Sequence, residues 1–217
     1  MRVVIACEFS GVVRRAFHNK GHDVVSCDLE PSDDNSPYHY QGDIFELLSG
    51  FGKVDLMIAH PPCTYLTVTG NKWFYHPDDK HLPTSERRPH PRFPDRVAQR
   101  EAGFEFFMKL ANLDIPKIAI ENPVGIVSTR WRKPDQIIQP YQFGHPQQKK
   151  TCLWLKGLPL IVPTNIVEPE PYHISKNGKK CATWYFMPKA RGEARRKIRN
   201  TTFKGIGEAF ADQWGNK

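Results

Sequence analysis

No apolar run in the 217 residues approaches the length of a bilayer crossing, no segment repeats, and no two cysteines stand in a Cys-x-x-Cys pair. The first absence argues against a membrane partner. The opening residues, MRVVIACEF, also lack the cleavage region of a signal peptide, so a soluble cytoplasmic protein is expected. The five cysteines, Cys7, Cys27, Cys63, Cys152 and Cys181, are odd in number and scattered, which sets aside a disulfide framework and a zinc ribbon and favours a reducing compartment. His76, His81 and His90 do not have the spacing of a usual zinc site, read as polar loop residues, and no metal is expected. What the chain has in excess is positive charge: 31 Lys plus Arg against 23 Asp plus Glu, net +8, which suits a polyanionic partner.

The pattern along the chain is strand, turn, helix, repeated. Val3–Cys7 is a β-branched apolar run, followed by "EFSG" and the helical "VVRRAFHNK", which stops at Gly21. "HDVVSCD" is a second strand ending at Asp28, "DIFELLSG" a short helix, and "VDLMIA" (54–59) a strand apolar on both faces. A helix over 97–110 places Val97, Phe104, Phe107 and Leu110 or Ala111 on one face, and "PKIAIENP" is a further buried strand. Such alternation predicts an α/β fold with a mainly parallel, doubly wound sheet and ligands at the carboxyl ends of its strands. The expected organisation is a core over 1–158 with an aperiodic insertion at 71–96 covering or bordering the site, a small recognition region over 159–195, and a C-terminal segment, 196–217, returning to the core.

The strand ends carry Glu8, Ser10, Asp28, the tetrapeptide His60-Pro61-Pro62-Cys63, and Glu121-Asn122. Cys63 is either a nucleophile on a loop stiffened by two prolines or a small buried residue beside a turn. Glu121 is either a structural anchor or an acid whose pKa is raised in a partly dry pocket. "GHPQQKKT" is either a solvated loop or a basic turn for phosphates. Trp73, Phe74 and Tyr75 either stack on bases or pack the insertion down.

Taken in order, these motifs resemble the DNA cytosine-5 methyltransferases, enzymes that use S-adenosylmethionine, in a compact, divergent form of phage or bacterial type. "CEFSG" resembles the first cofactor motif, "PPC" the nucleophile motif, "ENP" the glutamate motif, "GHPQQKKT" the Pro-Gln motif with its arginines, and "TTFKGIGEAFADQW" the last motif. The resemblance implies a Rossmann-like methyltransferase fold and S-adenosylmethionine held by Phe9, Ser10, Gly11, Asp28, Asp43 and Pro61. It implies catalysis by Cys63, Glu121 and Asn122, and target contacts from Pro62, Gln147, Lys149, Lys150 and Thr151. The implied partner is DNA, as a duplex with a flipped base or single-stranded, or else a free nucleotide. Restriction-modification in a bacterial host's cytoplasm is the implied setting. Cys7 stands where the family has an acidic residue, and Lys149 and Thr151 stand where it has arginines. The rival readings are a same-fold transferase acting on nucleotides or adding another carbon group at C5, an amino-methyltransferase, and a non-catalytic DNA-binding or decoy protein.

Overall fold

A computed structural model describes residues 1–186 and 191–216. Its elements run β1 (Arg2–Ala6), α1 (Val12–Asn19), β2 (Asp23–Asp28), β3 (His39–Gln41), α2 (Ile44–Phe51), β4 (Leu56–Ala59), α3 (Arg96–Ala111), β5 (Lys117–Pro123), α4 (Val127–Arg130), β6 (Gln136–Ile138), β7 (Thr151–Lys156), the hairpin β8–β9 (His173–Ile174 and Lys180–Cys181), α5 (Gly192–Asn200) and α6 (Lys204–Trp214). Seven strands form one sheet in the order β3-β2-β1-β4-β5-β7-β6. The pairings from β3 to β5 are parallel, while β7 runs antiparallel to both β5 and β6.

Side chains alternate across a strand, so neighbouring residues of β1 serve different layers. Val3 and Ile5 face a core completed by Phe17 of α1 and by Phe210 and Trp214 of α6. Val4 and Ala6 face the opposite core, with Met57, Phe107, Leu110 and Trp154. The rings of Phe210 and Trp214 stack at 4.4 Å, and the Trp214 indole donates to the Pro159 carbonyl at 2.9 Å, tying the last helix to the chain after β7.

Two details depart from the expectations above. The first strand stops at Ala6 because Cys7 takes a left-handed conformation, φ 58°, which breaks the pleat. In α3 the buried face holds Phe107 and Leu110, whereas Val97, in the first turn, is 37% exposed.

The insertion folds into three short 3-10 turns, Val68–Trp73, Pro77–His81 and Thr84–Glu86. Phe74 is buried, Trp73 packs edge-on against His90 and Phe93, and the Arg96 guanidinium lies 5.1–5.6 Å from the rings of Phe74, Tyr65 and Phe93. Buried Asp79 accepts from the backbone N–H and the guanidinium of Arg88, which holds its carboxyl well below the usual range. Of the region 159–195, residues 187–190 lie outside the described residues, as does residue 217 of the C-terminal segment. No helix among the described residues is long and apolar enough to cross a membrane.

Candidate active site

Register builds the site. Ala6 of β1 pairs with Ala59 of β4, and Ala59 pairs with Ile120 of β5, so the residues that follow these three strands emerge side by side. His60 continues the ladder by donating its N–H to the Ala6 carbonyl at 2.9 Å. Its imidazole Nδ1 then lies 2.6 Å from Glu121 Oε2, with both side chains largely shielded from solvent. Burial pushes Glu121 up, but the His60 hydrogen bond, the charges of His60 and Lys149, and the Thr151 hydroxyl overcome it and hold the carboxyl at about 2. Of the two readings open for Glu121, the contacts with His60, Lys149 and Thr151 favour the carboxylate over the raised acid that burial alone would give. Burial pushes His60 down, yet the bond and charge of Glu121, together with Glu8, raise it above the ordinary histidine value.

The loop after β4 is fastened at both ends. Buried Asn122 donates its Nδ2 to the Pro61 carbonyl at 2.8 Å, while the Cys63 carbonyl accepts from Leu66 and Thr67 at 3.0 and 3.1 Å. Farther on, Gly125 permits a close approach: a Cβ there would lie 2.2 Å from the Leu66 carbonyl oxygen. Pro61 is buried and Pro62 exposed, so the first proline packs while the second faces outward. Burial raises the Cys63 thiol, Lys149 pulls it back, Glu121 adds to the rise, and Arg199 again opposes it, with a net upward shift. Two cations thus act on the sulfur, and burial outweighs them.

Lys149 comes from the segment before β7 and Arg199 from α5. Lys149 Nζ donates to the Arg199 carbonyl at 2.9 Å and lies 5.9 Å from the Phe203 ring. Thr151, buried at the start of β7, belongs to the Glu121 cluster, whereas Lys150 is exposed and Gln147 is bound to Glu170 at 3.2 Å. The structure therefore brings together Cys63, Glu121, Asn122, Lys149 and Thr151, and leaves Lys150 and Gln147 to one side. His60 was legible beside the double proline. Arg199 had no signal beyond a basic stretch, since it arrives from a distant helix.

At the ends of β1 and β2, Phe9, Ser10 and Gly11 are buried. Gly11 adopts φ +66°, and a Cβ would meet the Arg14 guanidinium at 2.4 Å. The Glu8 carboxylate accepts from the backbone N–H of Val13 and Arg14 at 2.7 and 3.2 Å, filling the N-terminus of α1. A phosphate-bearing cofactor would need those N–H groups. Asp28, whose carboxyl is raised mainly by burial, accepts from Glu30 N, and Asp43 caps α2 through Phe45 N at 2.7 Å. Both carboxylates lie near enough to Cys7 to add to the rise that burial imposes on its thiol. An acidic strand end whose neighbouring helix N-terminus is already filled by Glu8 would suit S-adenosylmethionine, which carries a sulfonium and an ammonium and no phosphate. α5 closes over this end: Lys197 Nζ lies 5.6 Å from the Phe9 ring and 3.0 Å from Asp33, and Arg196 pairs with Glu30. A surface groove of about 600 Å³ runs between α2 and α3 past Phe45, Met108 and Leu113, and no strand-end residue lines it.

A parallel doubly wound sheet with one reversed strand, β7, inserted between β5 and β6 defines a Rossmann-like methyltransferase fold. No family model matches the sequence, and no curated protein matches it. Among solved structures the chain is similar to one described as a DNA modification methyltransferase encoded within a prophage of E. coli, at 16% identity and TM-score 0.45 over 77% of this chain and 52% of that one. It is also similar to a Spodoptera frugiperda DNMT2 mutant, at 16% identity and TM-score 0.41 over 78% of this chain and 55% of that one. A third similarity is to the S. pombe Dnmt2 methyltransferase, at 13% identity and TM-score 0.41 over 99% and 65%. The chain spans about half the length of the first two.

Proposed function

We propose that the chain is an S-adenosylmethionine-dependent methyltransferase that acts on carbon 5 of cytosine in DNA through a covalent adduct with Cys63. The observation that carries the reading is the convergence of Cys63, on a loop fastened by Asn122, with the Glu121 carboxylate and the Lys149 ammonium. Phe9, Ser10 and the Gly11 backbone would border the cofactor, Asp28 would receive ribose hydroxyls, Asp43 would lie towards the adenine amino group, and Pro61 would wall the pocket. The bound cofactor supplies an electrophilic methyl group.

The residues of the chain do the rest. Lys149 and Arg199 favour the Cys63 thiolate once the base has displaced water. The sulfur forms a bond to C6, the C5=C6 electron pair moves towards N3, and a proton held by the Glu121 carboxyl once the base is bound passes to N3 and neutralises the charge there, so that C5 becomes nucleophilic. After C5 has gained its substituent, loss of the C5 proton restores the double bond and expels Cys63. The target carbon is stacked in a duplex, so the base is flipped or offered single-stranded, at a cost of a few kcal/mol. Pro62, Lys149 and Thr151 would border it, and the exposed Lys150 would face the phosphate backbone, with Gln147 supporting the turn.

The test is transfer of tritium from labelled S-adenosylmethionine to duplex DNA, single-stranded DNA and dCMP, with Cys63→Ala and Glu121→Ala beside the wild type. Label on DNA that disappears with Cys63→Ala is expected. Label on dCMP alone would move the substrate to nucleotides, and transfer that survives loss of Cys63 would refute the covalent mechanism.

A further inference from the structure

An ionised Glu121 cannot donate a proton to N3, so the proposed reaction needs a source for that proton. The ring beside Glu121 is placed to be one. The His60 side chain is 8% exposed, and its Nδ1 makes the 2.6 Å contact with Glu121 Oε2. Its Nε2 is buried and lacks a hydrogen-bond partner in the structure. The charged groups facing the ring are Glu8 from the turn after β1, Glu121 from β5 and Lys149 from the segment before β7. The Glu121 carboxylate in contact at Nδ1 favours the protonated imidazole, Glu8 adds to this although burial pushes its own carboxyl up, and Lys149 opposes it. The contact at Nδ1 is then a charge-assisted N–H···O bond along which a proton can move.

We propose that His60 is the proton store for Glu121, passing its Nδ1 proton to the carboxylate when a pyrimidine enters, so that the carboxylic acid forms only against substrate. The inference rests on the cytosine C5 reading. Entry of a neutral base removes water from the pair, and loss of solvent favours neutral imidazole with neutral carboxyl over two separated charges. The Nδ1–H bond breaks and an O–H bond forms on Glu121, with no change in net charge. As the Cys63 sulfur bonds to C6, the displaced electron pair delocalises to N3 and the Glu121 O–H proton moves there, which restores the carboxylate and neutralises the charge the thiolate brought in. When Cys63 leaves, the proton returns through Glu121 to His60. His60 acts through Glu121 and is a positioning residue that need not touch the base.

Two measurements decide this, and neither needs the cofactor. In protein labelled with ¹⁵N in its imidazoles, His60 is expected to be an imidazolium at pH 7 in the wild type and to titrate at lower pH in Glu121→Gln. The second is loss of deuterium to water from 5-deuterocytosine in a single-stranded oligonucleotide, because C6 addition alone makes C5 protonatable. Exchange is expected to vanish in Cys63→Ser and to slow by about 10²-fold in His60→Gln. The double variant His60→Gln/Glu121→Gln is expected to be no slower than Glu121→Gln alone. A neutral His60 at pH 7, wild-type exchange in His60→Gln, or losses that multiply in the double variant would each overturn the proton store while leaving the C5 reading intact. Wild-type protein that exchanges no faster than Cys63→Ser would remove the C5 reading and the proton store with it, even if His60 proved to be an imidazolium.

Discussion

Asn122 shows how much one side chain is asked to do. Its Nδ2 is the buried link between β5 and the Pro61 carbonyl, so Asn122→Ala leaves that carbonyl unpaired in a dry place. A loss of about 1–3 kcal/mol in urea unfolding is expected, with slower label transfer because the Cys63 loop is no longer fastened. Glu121 sets a pH signature. Its folded value, about 2, lies below the ordinary 4.5, so its stabilisation is complete above 4.5 and is lost as pH falls through 2. His60 runs the other way: raised above 6.5, it contributes fully below 6.5 and loses that contribution as pH rises through its folded value. The stabilisation by this pair therefore peaks between 4.5 and 6.5, and Glu121→Gln is expected to flatten the acid arm of a melting-temperature profile. Cys63, Glu121 and Asn122 were legible as "HPPC" and "ENP". The charge on Glu121 was not, because it depends on a histidine 61 residues away that only the Ala59–Ile120 register brings alongside.

Among the elements, the turn after β5 controls the loop after β4. Gly125→Ala would drive a Cβ to 2.2 Å from the Leu66 carbonyl oxygen, and backbone on both sides leaves little room to yield. A cost of about 1–3 kcal/mol is expected, together with lower activity at unchanged DNA retention, because the displaced segment carries Cys63 and not the basic surface. Strands β1, β2, β4 and β5 were readable as β-branched or apolar runs, since burial on both faces writes itself into composition. β3 and β6 were not, being three residues long. β7 was hidden inside a motif read for its chemistry, so its reversed direction came from the pairing alone.

For the molecule as a whole, the net charge of +8 predicts salt-dependent retention of nucleic acid. The logarithm of the association constant should fall linearly with the logarithm of salt concentration, with a slope of about −0.7 per neutralised phosphate on single strands, and filter binding at several salt concentrations measures it. A flat response would separate the charge from any role in holding DNA. Charge was visible in composition. Its placement was not: Arg196 and Lys197 pair with Glu30 and Asp33, so these two cations are neutralised where they stand and the excess charge lies on other residues.

The Asp79–Arg88 contact makes the insertion self-sealing. Backbone bonds from His76 N to the Arg88 carbonyl and from His90 N to the Phe74 carbonyl flank it, and Arg100 ties α3 to the Tyr65 carbonyl and to Asn71. A protease that cut once between 80 and 87 would sever the covalent chain without parting the strands on either side. The two fragments should elute together in gel filtration and separate only in denaturant, and two pieces produced apart should reassemble into a working site.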